Sequence, residues 1–263
     1  MYNFEFEKPS TIADAVAALG VEDAQALGGG QTLIPTLKQR LAAPSSLVSL
    51  SGIAELQGVC IEDDGSVAIG GATTHATVAH EAASSYPALA ALAGQIGDPA
   101  VRNRGTIGGS IANNDPAACY PAGALGSGAT IVTDKRQIGA DDFFQGMFTT
   151  ALEEGEIITS VRFPVPLAAS YQKFLQPASR FALVGVYLAR FSDGVRVAVT
   201  GASEDGVFRW SEAEQALTKE FRPDALMDLQ INPMNMIGDL HGSKAYRAHL
   251  VGVMTKRAVE ATL

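Results

Sequence analysis

Residues 101–115 read Val-Arg-Asn-Arg-Gly-Thr-Ile-Gly-Gly-Ser-Ile-Ala-Asn-Asn-Asp. Glycine and asparagine are too frequent there for a regular element, so the stretch is expected to be an ordered loop. A second glycine-rich segment lies upstream at Leu27-Gly28-Gly29-Gly30-Gln31-Thr32-Leu33. It follows a strand pattern over Ala24 to Leu27 and opens a helical pattern through Leu33, Leu37 and Leu41, which Pro44 must stop. Strand, glycine turn and helix together let backbone N–H groups turn toward one point, and such a point suits a phosphate. An isolated Gly-Gly-Gly serves equally well as a tight turn with no ligand, and this spacing is neither that of a dinucleotide fingerprint nor that of a P-loop. The Thr106-Ile107-Gly108-Gly109-Ser110 segment changes the balance, because two such loops can clasp a diphosphate from both sides. Backbone amides and hydroxyls then neutralise the anion without lysines. Arg102 and Arg104 are available to assist, although an arginine in a loop equally serves as a surface charge or a subunit contact.

Around these loops the chain alternates between helix and strand patterns. Thr11 and Asp14 form a capping box ahead of Ile12, Val16 and Leu19, which recur at helical spacing until Gly20. Leu47 to Leu50 and Val67 to Ile69 read as strands, while Thr74 to Ala83 and Ala88 to Gln95 read as helices separated by Tyr86-Pro87. Beyond Pro164-Val165-Pro166 the pattern changes. Phe181 to Phe191 and Val195 to Thr200 look like strands joined across Ser192-Asp193-Gly194, and Ser243 can cap a terminal helix carrying Tyr246, Leu250, Val253 and Arg257. A second domain is therefore expected from about residue 167.

The 263 residues are comfortable for more than one core, with 47% hydrophobic and 18% charged residues supplying a packed interior. A formal net charge of −9 opposes binding to nucleic acid or an anionic membrane, though a local pocket can still hold one anionic cofactor. No apolar run reaches the ~20 residues that span a bilayer, and Met-Tyr-Asn-Phe-Glu-Phe-Glu is not a basic signal start. The expected compartment is the cytoplasm, without membrane insertion. Cys60 and Cys119 are the only cysteines, too few for an iron–sulfur cluster and unlike a zinc site. If electrons move in this chain, the carrier must be organic. His75, His80, His241 and His249 accompany no acidic or metal motif and read as structural or capping residues, and Trp210 reads as packing. No catalytic residue and no metal ligand is therefore expected.

With these features in place, Leu27 to Pro35, Ile69-Gly70-Gly71-Ala72-Thr73-Thr74-His75 and Val101 to Pro116 resemble the FAD-binding (medium) subunits of the xanthine dehydrogenase and carbon monoxide dehydrogenase family of molybdenum hydroxylases. Tyr171-Gln172-Lys173-Phe174, Val184-Gly185-Val186, Asp239-Leu240-His241-Gly242-Ser243 and Tyr246-Arg247 look like the C-terminal domain of that family. The resemblance covers nearly the whole chain. It implies an α+β fold with a vanillyl-alcohol-oxidase (PCMH)-type FAD-binding region of two subdomains, residues 1–53 and 54–166, and a small α/β C-terminal domain, 167–263, built on a three-stranded sheet with helices.

The resemblance further implies that FAD lies between these parts, its diphosphate held by Leu27, Gly28, Gly29, Gly30, Gln31, Thr32 and Leu33 and by Thr106, Ile107, Gly108, Gly109 and Ser110, with Ala26 also at the cofactor. Asn114 and Asp115 follow the second loop closely. By the same resemblance Ile96 and Ile158 give aliphatic contact to the flavin, and Lys173 approaches its ring system. Relatives commonly carry aspartate where this chain has Cys119, so a contact that depends on that acid cannot be carried over; a buried thiol that fills space is the simplest reading. The implied function is electron transfer. A molybdopterin-binding large subunit would hydroxylate the substrate, an iron–sulfur small subunit would carry electrons here, and the flavin would pass them to an external acceptor, in a complex expected to be a dimer of heterotrimers. Molybdopterin and iron–sulfur clusters belong to the partner subunits in this reading. The alternatives are a stand-alone flavin-dependent oxidase or reductase of the same superfold, and a nucleotide-binding assembly module without catalysis.

Overall fold

The computed structural model describes residues 1–263. Three sheets organise the chain, and a fourth is the two-stranded hairpin that pairs Phe144–Gly146 with Thr149–Thr150. The first is parallel, with Ser46–Ser49 at the centre, flanked by Glu5–Glu7 and Ala24–Leu27. The helix Ile12–Leu19 connects the two flanking strands. Its start is the expected cap, since Thr11 Oγ1 accepts from Asp14 N at 3.1 Å and donates to the Asp14 carboxylate at 2.7 Å.

The second sheet is antiparallel, ordered Val59–Ile61, Val67–Gly70, Ile158–Phe163, Thr130–Thr133 and Gln137–Gly139. The third contains Ala168–Leu175, Ala182–Arg190, Val195–Ser203 and Gly206–Arg209, so it has four strands rather than the expected three. The extra strand returns through Glu204-Asp205, with Ser203 paired to Gly206. Its four residues are too few to declare a period-two pattern, but Asp205-Gly206 is a hairpin signal.

The helix Cys119–Ser127 links the second and third sheets. Every one of its nine residues is buried, as expected of a helix that is apolar on all sides. A Cβ on Gly123 would lie 3.0 Å from Leu92, and one on Gly126 would lie 2.8 Å from the Tyr187 ring. Small residues therefore let this helix sit against both neighbours. On the facing strand, Tyr187 and Ala189 join the core around this helix, whereas Val184, Val186 and Leu188 face the helices Ser211–Lys219 and Lys244–Glu260. Both faces of the strand are covered, which explains its unbroken apolar run. Arg247 pins the terminal helix to this sheet. Its guanidinium is buried and donates to Leu183 O at 2.7 Å, Gly201 O at 2.6 Å and Asp239 Oδ2 at 2.7 Å.

Two local expectations are corrected. Residues 101–115 are not a continuous loop, because Pro99–Arg102 and Ile107–Asn113 are helical. Asp98 caps the first by accepting from Val101 N, and Thr106 caps the second by accepting from Gly109 N. Capping and tertiary packing outweigh the poor helical propensity of the glycines. The helix after the first glycine loop spans only Leu33–Lys38. Arg40 takes φ +61° and Leu41 N donates back to Thr36 O, so the helix unwinds before Pro44 and Leu41 remains exposed.

An ion pair between a buried carboxylate and a half-exposed arginine fixes the entry to the strand Ile158–Phe163. Arg136 grips Glu156 through Nε at 3.1 Å and Nη2 at 3.0 Å, while Thr133 Oγ1 and Glu153 N donate to the same carboxylate at 2.7 and 2.8 Å. The Glu156 side chain is fully buried, and these donors, led by Arg136, hold its pKa down at about 2 against an ordinary 4.5. Because the folded value is the lower one, the stabilisation is present above pH ~4.5 and is lost as pH falls toward 2. A Glu156→Gln variant is expected to lose on the order of 2 kcal/mol at pH 7 and to show a shallower loss of stability between pH 5 and 2. Denaturant unfolding across that range measures both; parallel pH profiles for the two proteins would contradict the assignment.

Candidate functional site

A cleft of about 670 Å³ opens where the three sheets meet, a size suited to a cofactor. The first glycine loop forms one wall, with Ala26, Leu27, Gly28, Gly29, Gly30, Gln31, Thr32 and Leu33 all lining it. None of the N–H groups from Gly28 to Leu33 donates a hydrogen bond within the chain. Six consecutive donors are thus left for an external acceptor, and hydrogen bonds to a charged group contribute roughly 1.5 to 3 kcal/mol each. Gly30 adopts φ +72°, a conformation costly for a side chain. At Gly29 a Cβ would collide with the Arg104 carbonyl oxygen, so only glycine lets this loop lie against the second one.

The second loop plays a different part. Ile107 N donates to Thr73 O at 3.1 Å, Gly108 N to Gly71 O at 2.9 Å and Gly109 N to Thr106 Oγ1 at 3.2 Å. Its amides are therefore largely spent on holding its own shape. Thr106, Gly108, Gly109 and Ser110 line the cleft, but Ile107 is fully buried outside it. Ile107 is placed instead in the core beside Val67 and Ile69.

Ile96 from a loop and Ile158 and Lys173 from two strands all line the cleft, and Asp115 lines it too. Asn114 does not. It is buried with φ +42°, its amide donates to Gly146 O at 2.7 Å and Thr149 O at 2.9 Å, and its own carbonyl accepts from Phe148 N at 3.0 Å. Those bonds hold the hairpin that sets Phe148, itself at φ +55°, into the cleft wall. Asn114 positions a lining residue rather than lining the site. Arg102 spends its guanidinium on Ile96 O at 3.1 Å and Gly97 O at 3.0 Å, and Arg104 contributes the carbonyl that faces Gly29. Neither arginine lines the cleft.

Several lining residues lay outside the expected set. Gly71 was marked only by its glycine pair; a Cβ there would run into the Ile158 carbonyl. Phe148, Arg180 and Phe181 come from distant segments with no local signal, and Arg180 is at φ +62°. His75 also lines the cleft, and burial pushes its pKa down to about 4, so it is neutral at pH 7. No carboxylate pairs with it, and it stands as a packing residue against the Tyr120 ring at 5.3 Å.

Unused backbone amides at the cleft wall, with no lysine at the glycine loop, suit an anionic group such as a phosphate. Residues 2–166 match the family described as the FAD binding domain in molybdopterin dehydrogenase, and the chain belongs to that family. It is 34% identical to the carbon monoxide dehydrogenase medium chain of Hydrogenophaga pseudoflava, over 98% of this chain and 96% of the relative. It is also 34% identical to the nicotine 6-hydroxylase medium subunit of Paenarthrobacter nicotinovorans, over 97% and 95% of the two chains. The structure of a cyanide-inactivated Cu,Mo-CO dehydrogenase superposes with a TM-score of 0.89 at 32% identity, covering 100% of this chain and 98% of that one. The fold is thus the expected α+β, PCMH-type FAD-binding fold, and FAD is the cofactor of this chain.

The residues present fit FAD, since a Cβ on Gly28 or Gly109 would press on Thr106 Oγ1, at 2.8 and 2.9 Å respectively, and fill the cradle. Gly109→Val therefore places a branched side chain in the cleft and disrupts the Thr106 cap, whereas Ser110→Ala removes one hydroxyl. The serine variant is expected to weaken FAD binding by about ten- to a hundredfold, and the valine variant to abolish measurable binding. Titration of the folded, FAD-stripped variants with FAD gives the comparison, and equal affinities would exclude the cradle.

Proposed function

We propose that this chain is the electron-relaying flavoprotein subunit of a molybdenum hydroxylase complex. It would receive electrons from iron–sulfur clusters in a small partner subunit and deliver them to an external acceptor. A molybdopterin-binding large subunit would carry the substrate chemistry, with two such heterotrimers forming the complex. The observation that carries the reading is the cleft itself. It combines six free amides and an apolar far end with an absence of any paired acid and base among its lining side chains. Its relatives are named as medium chains or subunits of dehydrogenases and hydroxylases, which supports a division of labour among chains. We also propose the division into 1–53, 54–166 and 167–263, which the separate sheets support.

FAD supplies the ability to take electrons singly and to release a pair; the protein supplies binding, orientation and potential. Gly28 to Leu33 would hold the diphosphate through their N–H groups, with Ser110 adding a hydroxyl. Ile96 and Ile158 would shield the ring system from water, and Lys173 would present a positive charge to it. Asp115 is tied into the loop by accepting from Ala117 N at 2.8 Å, which orients the segment leading to Cys119. His75, neutral at pH 7, forms no ion pair with a carboxylate of the cleft.

The isolated chain loaded with FAD is expected to oxidise no hydroxylase substrate. In the assembled complex, substrate should bleach the flavin and iron–sulfur absorbance in stopped-flow spectra. In complex stripped of FAD, iron–sulfur reduction should persist while acceptor reduction stops. Full-rate acceptor reduction by the stripped complex would exclude this chain as the exit relay, and substrate turnover by the isolated chain would favour a stand-alone oxidase.

A further inference from the structure

Lys173, on the strand Ala168–Leu175, is the one lysine lining the cleft. Its Nζ donates to Gln95 O at 3.0 Å and to Cys119 Sγ at 3.4 Å. An ammonium has three donors, so one remains for the cleft. No carboxylate forms an ion pair with it. The acids of the cleft are engaged elsewhere, since Glu156 is bound by Arg136 and Asp115 accepts from Ala117 N. The other cleft bases are Arg180, on the exposed rim, and neutral His75. A half-buried positive charge thus stands beside a buried sulfur with no anion recorded against it.

The cleft has a wet end and a dry end. Gln25, Gln31 and Thr32 are exposed, whereas Ile158 and Cys119 are buried and Ile96 is half-buried. The large apolar ring system of a flavin favours the dry end, which is the end that holds Lys173. A positive charge there stabilises the reduced ring, because reduction adds electron density to it.

We infer that Cys119 sets the reduction potential of the flavin by leaving Lys173 unneutralised: a thiol accepts the lysine's hydrogen bond without cancelling its charge, which is then available to the ring. Cys119 is a tuning and positioning residue in this scheme, acting through Lys173 rather than through thiol redox chemistry. The inference rests on the assignment of the cleft to FAD.

The test compares the full chain with its Cys119→Asp and Cys119→Ser variants. Bound FAD is measured first, and each loaded protein is then titrated spectroelectrochemically. Cys119→Asp introduces the missing anion and is expected to shift the ratio of affinities for reduced and oxidised flavin at least tenfold toward the oxidised form. For a two-electron couple that is a fall of about 30 mV. Cys119→Ser, another uncharged hydrogen-bond acceptor, should remain within a few-fold of the unaltered chain. Equal potentials for Cys119→Asp and the unaltered chain overturn the proposal. A marked rise in Cys119→Ser also overturns it, since that would mean the sulfur already carries a neutralising charge. An unaltered chain that takes up no FAD refutes the cleft assignment instead. Should Cys119→Asp fail to fold, Lys173→Gln reads the same quantity, because removing an unbalanced charge lowers the potential and removing a neutralised one leaves it in place.

Discussion

The close approach of backbone to backbone between three glycine segments is the constraint from which the site follows. Gly29 lies on the Arg104 carbonyl, Gly108 on Gly71, and Gly71 on Ile158. Each contact leaves no room for a Cβ. Together they join the parallel sheet, the helix Ile107–Asn113 and the strand Ile158–Phe163 around one opening. The glycines lower the local helical propensity, and the hydrogen bonds from Ile107 and Gly108 to Thr73 and Gly71 offset that loss. The second loop can therefore be rigid and the first can keep its amides free.

That arrangement reconciles an acidic chain with an anionic cofactor. A formal charge of −9 would repel a diphosphate held at the surface by scattered side chains. Amide dipoles fixed by the fold offer positive potential at one place without changing the net charge. Arginine, by contrast, is used here as a structural connector. Arg102 ties Ile96 and Gly97, Arg136 ties Glu156, and Arg247 ties Leu183, Gly201 and Asp239. In each case the five-donor guanidinium collects several acceptors at once, backbone carbonyls for Arg102, a carboxylate for Arg136 and both kinds for Arg247.

Local patterns made much of this legible. Thr11 with Asp14, Ser243 ahead of the last helix, and the two strand runs joined across Ser192-Asp193-Gly194 each depend on neighbours within a few residues, and each is formed as its chemistry dictates. The errors have physical causes of longer range. Glycine content in residues 101–115 argued against helix, but packing and the Thr106 cap decided otherwise. Asn114 had the right residue type beside the right motif, and nothing local separates an amide that faces a ligand from one that braces a hairpin 32 residues away. Ile107 was carried along by its motif, although an isoleucine between Thr106 and Gly108 has an obvious claim on the core. Phe148 and Phe181 reach the cleft only through tertiary structure.

The two ends of the cleft differ in how freely sequence can vary there. At the glycine-loop end the free groups are backbone amides, and the glycines that expose them cannot be exchanged without a collision. Affinity for the cofactor is consequently tied to the fold. At the dry end the lining groups are side chains: Ile96 comes from a loop, Ile158 and Lys173 from two strands and Cys119 from a helix, and the Lys173–Cys119 pair sits among them without closing any turn or strand. A change there can alter the local field while the main-chain hydrogen bonds remain as they are. The free amides and the local field of the cleft thus draw on different atoms.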